Sequence, residues 1–324
     1  MRLIQVLMIA ALLGPTGAVM AAEAVVYVSP TGNDAGKGGT EADAVATIQR
    51  AVKLAEAMPA GTTLAKIVLK PGTYKAQSFE TRGHRENVPI LITSGNGGSA
   101  VFDGDGQGGT WMTLKPRGGN PSNIRIERIG VTNYETVIDV DGNRNKPELW
   151  AGGLEIRDNH FSRVGDISRV GAKPSTAAIR LVNSDRNVIV KNTFTEIRNN
   201  DRCPLLHALY VAHGSTDNRI EENLFENSCG DAVRFRDRSD NNVVRKNRFV
   251  DAWSRSPVSD WFCNPAQRSN CTKEEGECPS FNNVVENNEV TARSMPAAGV
   301  FVPYGGKPPP GCGVVRGAQR AIVR

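Results

Sequence analysis

The chain has 324 residues, 39% hydrophobic and 23% charged, with 33 glycines and 18 prolines. That is a globular mixture, and it excludes a disordered or fibrous chain. Thirty-nine Lys and Arg against 34 Asp and Glu leave a net charge of +5, which favours an anionic partner without the dense basic footprint of a nucleic-acid binder; no helix-turn-helix, finger or RNA-binding signature accompanies it.

Residues 1–22 begin with Arg2, continue as an apolar run from Leu3 to Leu13 and end in the small residues of Val19–Ala22. This is the layout of a signal peptide, with cleavage expected after Ala21 or Ala22. The apolar run is too short for a membrane span and is broken by Gly14, Pro15 and Gly17, and no later stretch is long enough to cross a bilayer. The mature chain is therefore expected to be secreted or periplasmic and to act as a monomer. Cys203, Cys229, Cys263, Cys271, Cys278 and Cys312 all lie beyond the cleavage point. An even number in an oxidising compartment reads as disulfides, and the absence of a C-x-x-C pair argues against zinc.

Next come a strand at VVYVS, the segment Ala46–Ala57 with apolar residues at helical spacing, and a strand at KIVLK. A helix bracketed in this way is expected to cover the exposed end of a stacked sheet. Five segments then align on Asn159, Asn192, Asn223, Asn247 and Asn288, with separations of 33, 31, 24 and 41 residues. Each is short, β-rich and studded with Asn, Asp and Gly, so the repeat implies a β-solenoid rather than a helical one. Second strands precede them at VIDV (137–140), AIRLV (178–182), ALYVA (208–212) and AVRFR (232–236). From Ile179 to Asn192 is 13 residues, and from Leu209 to Asn223 and from Val233 to Asn247 it is 14. Variable length therefore collects in the turn entering each of these strands, which puts the long loops along one edge. The asparagine stack reads as a structural ladder that satisfies buried backbone.

VYVSPTGND, ATIQRAV, IVLKPGTY and the Asn-bearing coils resemble the start and body of the secreted right-handed parallel β-helix proteins of the pectate-lyase-like superfamily, over roughly residues 25–302. The resemblance implies an all-β fold: one single-stranded right-handed parallel β-helix with an N-terminal capping helix. The expected boundaries are 23–305 for the β-helix, 251–280 for a cysteine-containing insertion within it, and 306–324 for a C-terminal tail. The resemblance also implies a groove on one parallel sheet, often for an acidic polysaccharide, with lyases and glycoside hydrolases as the commonest activities. Neither the paired Asp-Asp and Arg-Ile-Lys of polygalacturonases nor the Asp-Pro-His of alginate epimerases is present.

Strand alternation assigns the outward residues. One column runs Thr113, Asp139, Arg180, Tyr210, Arg234 and, with VFVP at 300–303 as the next strand, Phe301. A second runs Lys115, Asp141, Val182, Ala212 and Arg236. His207 is expected to stack on Asp231 at one end of its strand, and His213 to meet Asp237 at the other. Asp139–Arg180 alone reads as an ordinary surface ion pair, but the gathering of arginines, tyrosine and histidine on three consecutive coils beside the longest loops points to a site.

Elimination on a uronate chain needs a cation to neutralise the carboxylate and groups to move two protons. Arg234 or Arg180 suits the first role; His207, titrating near working pH, or Tyr210, in the positive field of two arginines, suits the second. The expected catalytic set is His207, Tyr210 and Arg234. The substrate-binding set is Lys115, Asp139, Asp141, Arg180, His213, Asp231, Arg236 and Trp261, against an acidic polysaccharide. Hydrolysis needs two suitably spaced carboxyls, and Asp139 and Asp141 qualify in spacing but sit beside arginine, so a lyase is favoured over a glycoside hydrolase. A non-catalytic glycan-binding or cell-envelope β-helix is the competing class. No cofactor is evident, although calcium on Asp139 and Asp141 is a possibility without a recognisable loop. Trp253 and Trp261 in the insertion either stack on sugar rings or fill the loop's own core. Cys203 and Cys229 fall on the same loop edge of neighbouring coils and are expected to bond.

Overall fold

The computed structural model describes residues 22–117, 121–251, 256–271, 276–291, 300–303, 306–312 and 321–324. The signal-peptide expectation for the first residues, and Trp253, lie outside them. Each coil contributes one strand to each of three sheets. A representative coil runs Leu154–Arg157, His160–Val164 and Ala177–Val182; the next runs Val188–Val190, Thr193–Ile197 and His207–Ala212. Among the described residues the sheets hold ten, eight and eight strands, and neighbouring strands, such as Ala177–Val182 and His207–Ala212, pair in parallel. This is the β-solenoid expected from the repeat, in the parallel β-helix form that the resemblance implied.

Two residues suffice to turn from the first sheet to the second. The first of the two takes the left-handed conformation, at Asp158, Lys191, Glu222, Lys246 and Asn287; the second is the repeat asparagine, whose side chain is turned inward. Asn159 Nδ2 donates to Asn192 Oδ1, Asn192 to Asn223 and Asn223 to Asn247, each at 3.0 Å, and Asn247 to Asn288 at 3.1 Å. Each side chain also satisfies a backbone carbonyl on the neighbouring strand of the preceding coil, as Asn223 does for Ile189 at 2.9 Å. A second ladder, five residues earlier in each repeat, joins Asn187, Asn218, Asn242 and Asn283 at 2.8–3.0 Å. Beneath the first ladder, Phe161, Phe194, Phe225 and Phe249 stack with centroids 5.1, 4.9 and 5.1 Å apart. That repeat is close to the strand spacing, so the same side chain fits at every level.

At the N-terminal end a helix spans Ile48–Glu56, with Thr47 Oγ1 accepting the Arg50 amide as its cap. Ile48, Ala51, Val52 and Ala55 form its buried face against the first strands, which closes the open end of the core as a capping element must. Among the described residues no helix is long and apolar enough to cross a membrane.

Three expectations about the C-terminal third need correction. Inside the segment expected to be only an insertion, Val258–Trp261 forms a full strand of the third sheet, paired with Val233–Arg236. Phe301 then pairs with Val258, an inward position, and is packed against the core; it is not part of the outward column, where Ser259 and then Val302 follow Arg234. The segment read as a tail also holds structure: Ala321–Val323 adds the last strand of the first sheet, beside Asn283–Glu286. Three disulfides tie the loop edge: Cys203–Cys229 as expected, Cys263–Cys271 and Cys278–Cys312.

Candidate active site

The third sheet places Asp139, Arg180, Tyr210, Arg234 and Ser259 in one outward register column, and Asp141, Val182, Ala212, Arg236 and Trp261 in the other. Its later coils form the floor of a cleft of about 970 Å³. Arg180, His207, Tyr210, His213, Asp231, Arg234, Arg236 and Trp261 all line it. One wall is the turn Cys203–Leu205, pinned by Cys203–Cys229; a further wall is the 261–268 stretch, pinned by Cys263–Cys271.

Lys115, Asp139 and Asp141 are not among the residues lining the cleft. Arg180 Nη1 donates to Asp139 Oδ1 at 2.6 Å and Lys115 Nζ to Asp141 Oδ2 at 2.9 Å. Both carboxylates suggested for calcium thus already hold a cationic partner. Asp139 nonetheless bears on the cleft by neutralising Arg180.

The floor contains two polar constellations. In the first, Asp231 accepts from the Arg234 guanidinium and from Ser259 Oγ at 2.6 Å, while Arg234 Nε donates to Ser259 at 2.5 Å. Burial pushes the Asp231 carboxyl up, but the Arg234 charge and these hydrogen bonds outweigh it and hold the group below the usual carboxylate range. His207 packs against the same group, its Nδ1 2.9 Å from the Asp231 carbonyl oxygen and its ring stacked on Tyr210 at 5.8 Å. Because a carbonyl only accepts, Nδ1 carries the proton and Nε2 is left bare. Burial, reinforced by Arg234, lowers the His207 pKa to about 3. The imidazole is therefore neutral, and the expectation that it titrates near working pH is not met, because a third-sheet strand end with an arginine beside it cannot hold a second cation.

In the second constellation Arg236 Nη1 donates to Tyr210 Oη at 2.6 Å, while its Nε and Nη2 grip Glu277 at 2.8 and 2.6 Å. Burial opposes the Arg236 charge, but Glu277 and Tyr210 more than compensate and raise its pKa above the ordinary value. The guanidinium also lies over the Trp261 ring, 4.4 Å from its centroid. Since arginine only donates, the Tyr210 hydroxyl hydrogen is directed away from Arg236. Glu277 is 1% exposed and accepts the Cys263 amide at 2.8 Å as well, so the loop that carries it is locked onto the floor.

His213, Asp237 and Glu277 bring potential ligand atoms within 4.8 Å of one another. The chemistry of this set does not suit a metal ion: Arg144 reaches Asp237 at 3.6 Å and Glu277 at 3.1 Å, Arg238 reaches Asp237 at 2.8 Å, and Arg236 holds both oxygens of Glu277. Guanidiniums already occupy the positions a cation would need.

Ser259, Glu277 and Arg268 belong to the site and were not singled out in the sequence. One signal was present. Leu209 to Val233 is a coil of 24 residues, and 25 more reach Val258, so the minimal coil length marks the hidden strand. Nothing periodic marks Glu277 or Arg268.

No family model matches the chain, and no curated protein matches it. Among solved structures it is similar to pectate lyase Pel9A (13% identity, TM-score 0.40, covering 85% of this chain and 79% of that one). It is also similar to an alginate lyase from Paenibacillus sp. str. FPU-7 (15%, 0.43, 87% and 98%) and to a rhamnogalacturonan lyase (16%, 0.41, 87% and 62%). At such identities the likeness concerns the fold and says nothing about activity.

Proposed function

We propose that the cleft binds an acidic, uronate-containing polysaccharide and cleaves it by β-elimination. The observation that carries this reading is Tyr210 Oη on the cleft floor, bonded at 2.6 Å to Arg236. With His207 too poor a base, Tyr210 is preferred for proton movement over His213, whose Nδ1 is engaged by Asp237 Oδ2 at 3.1 Å. As the phenolate, its own hydroxyl proton having passed to water, it takes the proton on C5 of the uronate; the C4–C5 double bond forms as the C4–O bond breaks, and the hydroxyl so formed gives that proton to the departing oxygen, which restores the phenolate. The Arg236 cation balances negative charge on the phenol oxygen while the proton is off it. The guanidiniums of the cleft neutralise the sugar carboxylate.

Glycoside hydrolysis is less well supported, because it needs a pair of carboxyls of which one is protonated. Among the described lining residues Asp231 is the one carboxylate, and it is held ionised. Glycan binding without turnover is the second reading, favoured by the fact that Arg180, Arg234 and Arg236 are each already paired. Incubating the mature protein with a panel of uronate polysaccharides and following ultraviolet absorbance of the unsaturated product separates them. Absorbance growth on one acidic polymer supports elimination; saturable binding with no absorbance on any polymer supports the binding module.

A further inference from the structure

Four guanidiniums line the cleft, those of Arg180, Arg234, Arg236 and Arg268. Three of them face carboxylates of the chain itself: Arg180 with Asp139, Arg234 with Asp231 and Arg236 with Glu277. For those three, a sugar carboxylate must share or displace a partner already in place. Arg268 differs. It is exposed, and among the described residues its side chain has no salt bridge or hydrogen bond; its guanidinium lies over the ring of Trp261, 5.3 Å from the centroid. Trp261 is also the ring under Arg236, so Arg268 neighbours the pair formed by Arg236 and Tyr210.

The backbone around Arg268 is fixed although its head group is open. Its amide donates to the Asn264 carbonyl at 3.0 Å, its carbonyl accepts the Cys271 amide at 3.1 Å, and Cys263–Cys271 closes the turn with a Cα separation of 5.5 Å. A guanidinium resting on an indole keeps its hydrogen-bonding edge available, and a carboxylate arriving there displaces only water. We infer that Arg268 is the specificity-determining residue of the cleft, the one that recognises the carboxylate of an incoming uronate. This rests on the acidic-polysaccharide reading above and assigns the recognition to a loop arginine rather than to Arg180 or Arg234 on the sheet.

The test compares the affinity of hexamers of galacturonate and of mannuronate with that of their methyl esters, by calorimetry at fixed salt, for the wild-type protein, Arg268→Gln and Arg268→Lys. The wild type should prefer the acid form of at least one hexamer. Arg268→Gln should reduce that acid-to-ester preference about tenfold or more, as expected for a lost charged hydrogen bond, while ester affinity and melting temperature stay put. Arg268→Lys, which keeps the charge and loses the fork, should retain part of the preference. If the wild type prefers the acid and Arg268→Gln prefers it equally, the inference is overturned and the functional reading stands. If the wild type binds acid and ester alike, or binds neither hexamer, the acidic-polysaccharide reading falls and the inference with it.

Discussion

The two-residue corner between the first and second sheets and the cleft edge of the third sheet both bury polar side chains, but satisfy them in opposite ways. At the corner each asparagine donates to the next copy of itself, from Asn159 through to Asn288. The repeat supplies its own partners. At the cleft the partners differ from coil to coil: Glu277 reaches Arg236 from a disulfide-bearing loop, and Ser259, in register with Arg234 on the next strand, meets Arg234 and Asp231. A periodic solution stabilises the solenoid, and an aperiodic one leaves a tyrosine and several cations facing a cleft. Substitutions in the two regions should therefore separate stability from chemistry.

The largest expected effect is on turnover. Tyr210→Phe should lower kcat on a cleaved uronate polymer by roughly 10²–10⁴-fold, the usual contribution of a proton-transfer group, with binding changed only a few-fold; steady-state kinetics and calorimetry check both halves. Glu277→Ala comes next. It strands the half-buried Arg236 and should cost about 3 kcal/mol of stability in denaturant titration, the low end for a buried pair because Arg236 keeps some solvent, together with activity, because Arg236 is then free to leave Tyr210. At the corner Asn223→Ala should cost about 2–4 kcal/mol, since it removes the side-chain acceptor of the Asn192 amide, one of the acceptors of Asn192 Nδ2 and the side-chain donor to the Ile189 carbonyl. The same change at Asn288, the half-buried end of the ladder, should cost only about 1 kcal/mol. Neither should alter kcat under folding conditions, and an equal loss at both positions would break the ladder account.

A smaller effect depends on pH. The folded His207 pKa of about 3 lies below its ordinary 6.5, so the fold favours the neutral ring. That contribution is fully present above pH 6.5 and is lost as the pH falls from there toward 3. By pH 5 the loss from this one group is about 2 kcal/mol. His207→Gln, which retains a donor for the Asp231 carbonyl, should flatten the acid limb of the stability profile by that amount. An unchanged acid limb would mean that His207 is charged in the fold.

The corner was legible in the sequence because it repeats. The Asn-x-Phe signature survives changes in coil length, and strand alternation then placed Arg180, Tyr210 and Arg234 in the register the structure shows. Even the second ladder was present in plain view, as the asparagines at 187, 218, 242 and 283, five residues ahead of the ones that were aligned. The cleft was only half legible. Parity says that a side chain faces outward, but not which loop folds over it, so Arg236 could be read as exposed when Glu277 in fact covers it. Phe301 was misplaced for two reasons: missing the strand at Val258–Trp261 moved the next strand up by one coil, and in VFVP, with apolar residues on both faces, parity was set one residue off, since Val302 is the residue that follows Ser259. The ionisation of His207 was misread because burial at a strand end is not encoded by spacing.

The most direct test of elimination in the cleft is to run the reaction in ¹⁸O-labelled water on the polymer that gives the strongest response, and to weigh the oligosaccharides released. Elimination by Tyr210 breaks the C4–O bond without adding water. The new non-reducing ends should therefore be unsaturated, lighter than hydrolysis products by one water, and free of label from the cleavage step, and Tyr210→Phe should abolish them. Saturated products carrying ¹⁸O, or unsaturated products formed undiminished by Tyr210→Phe, would contradict it.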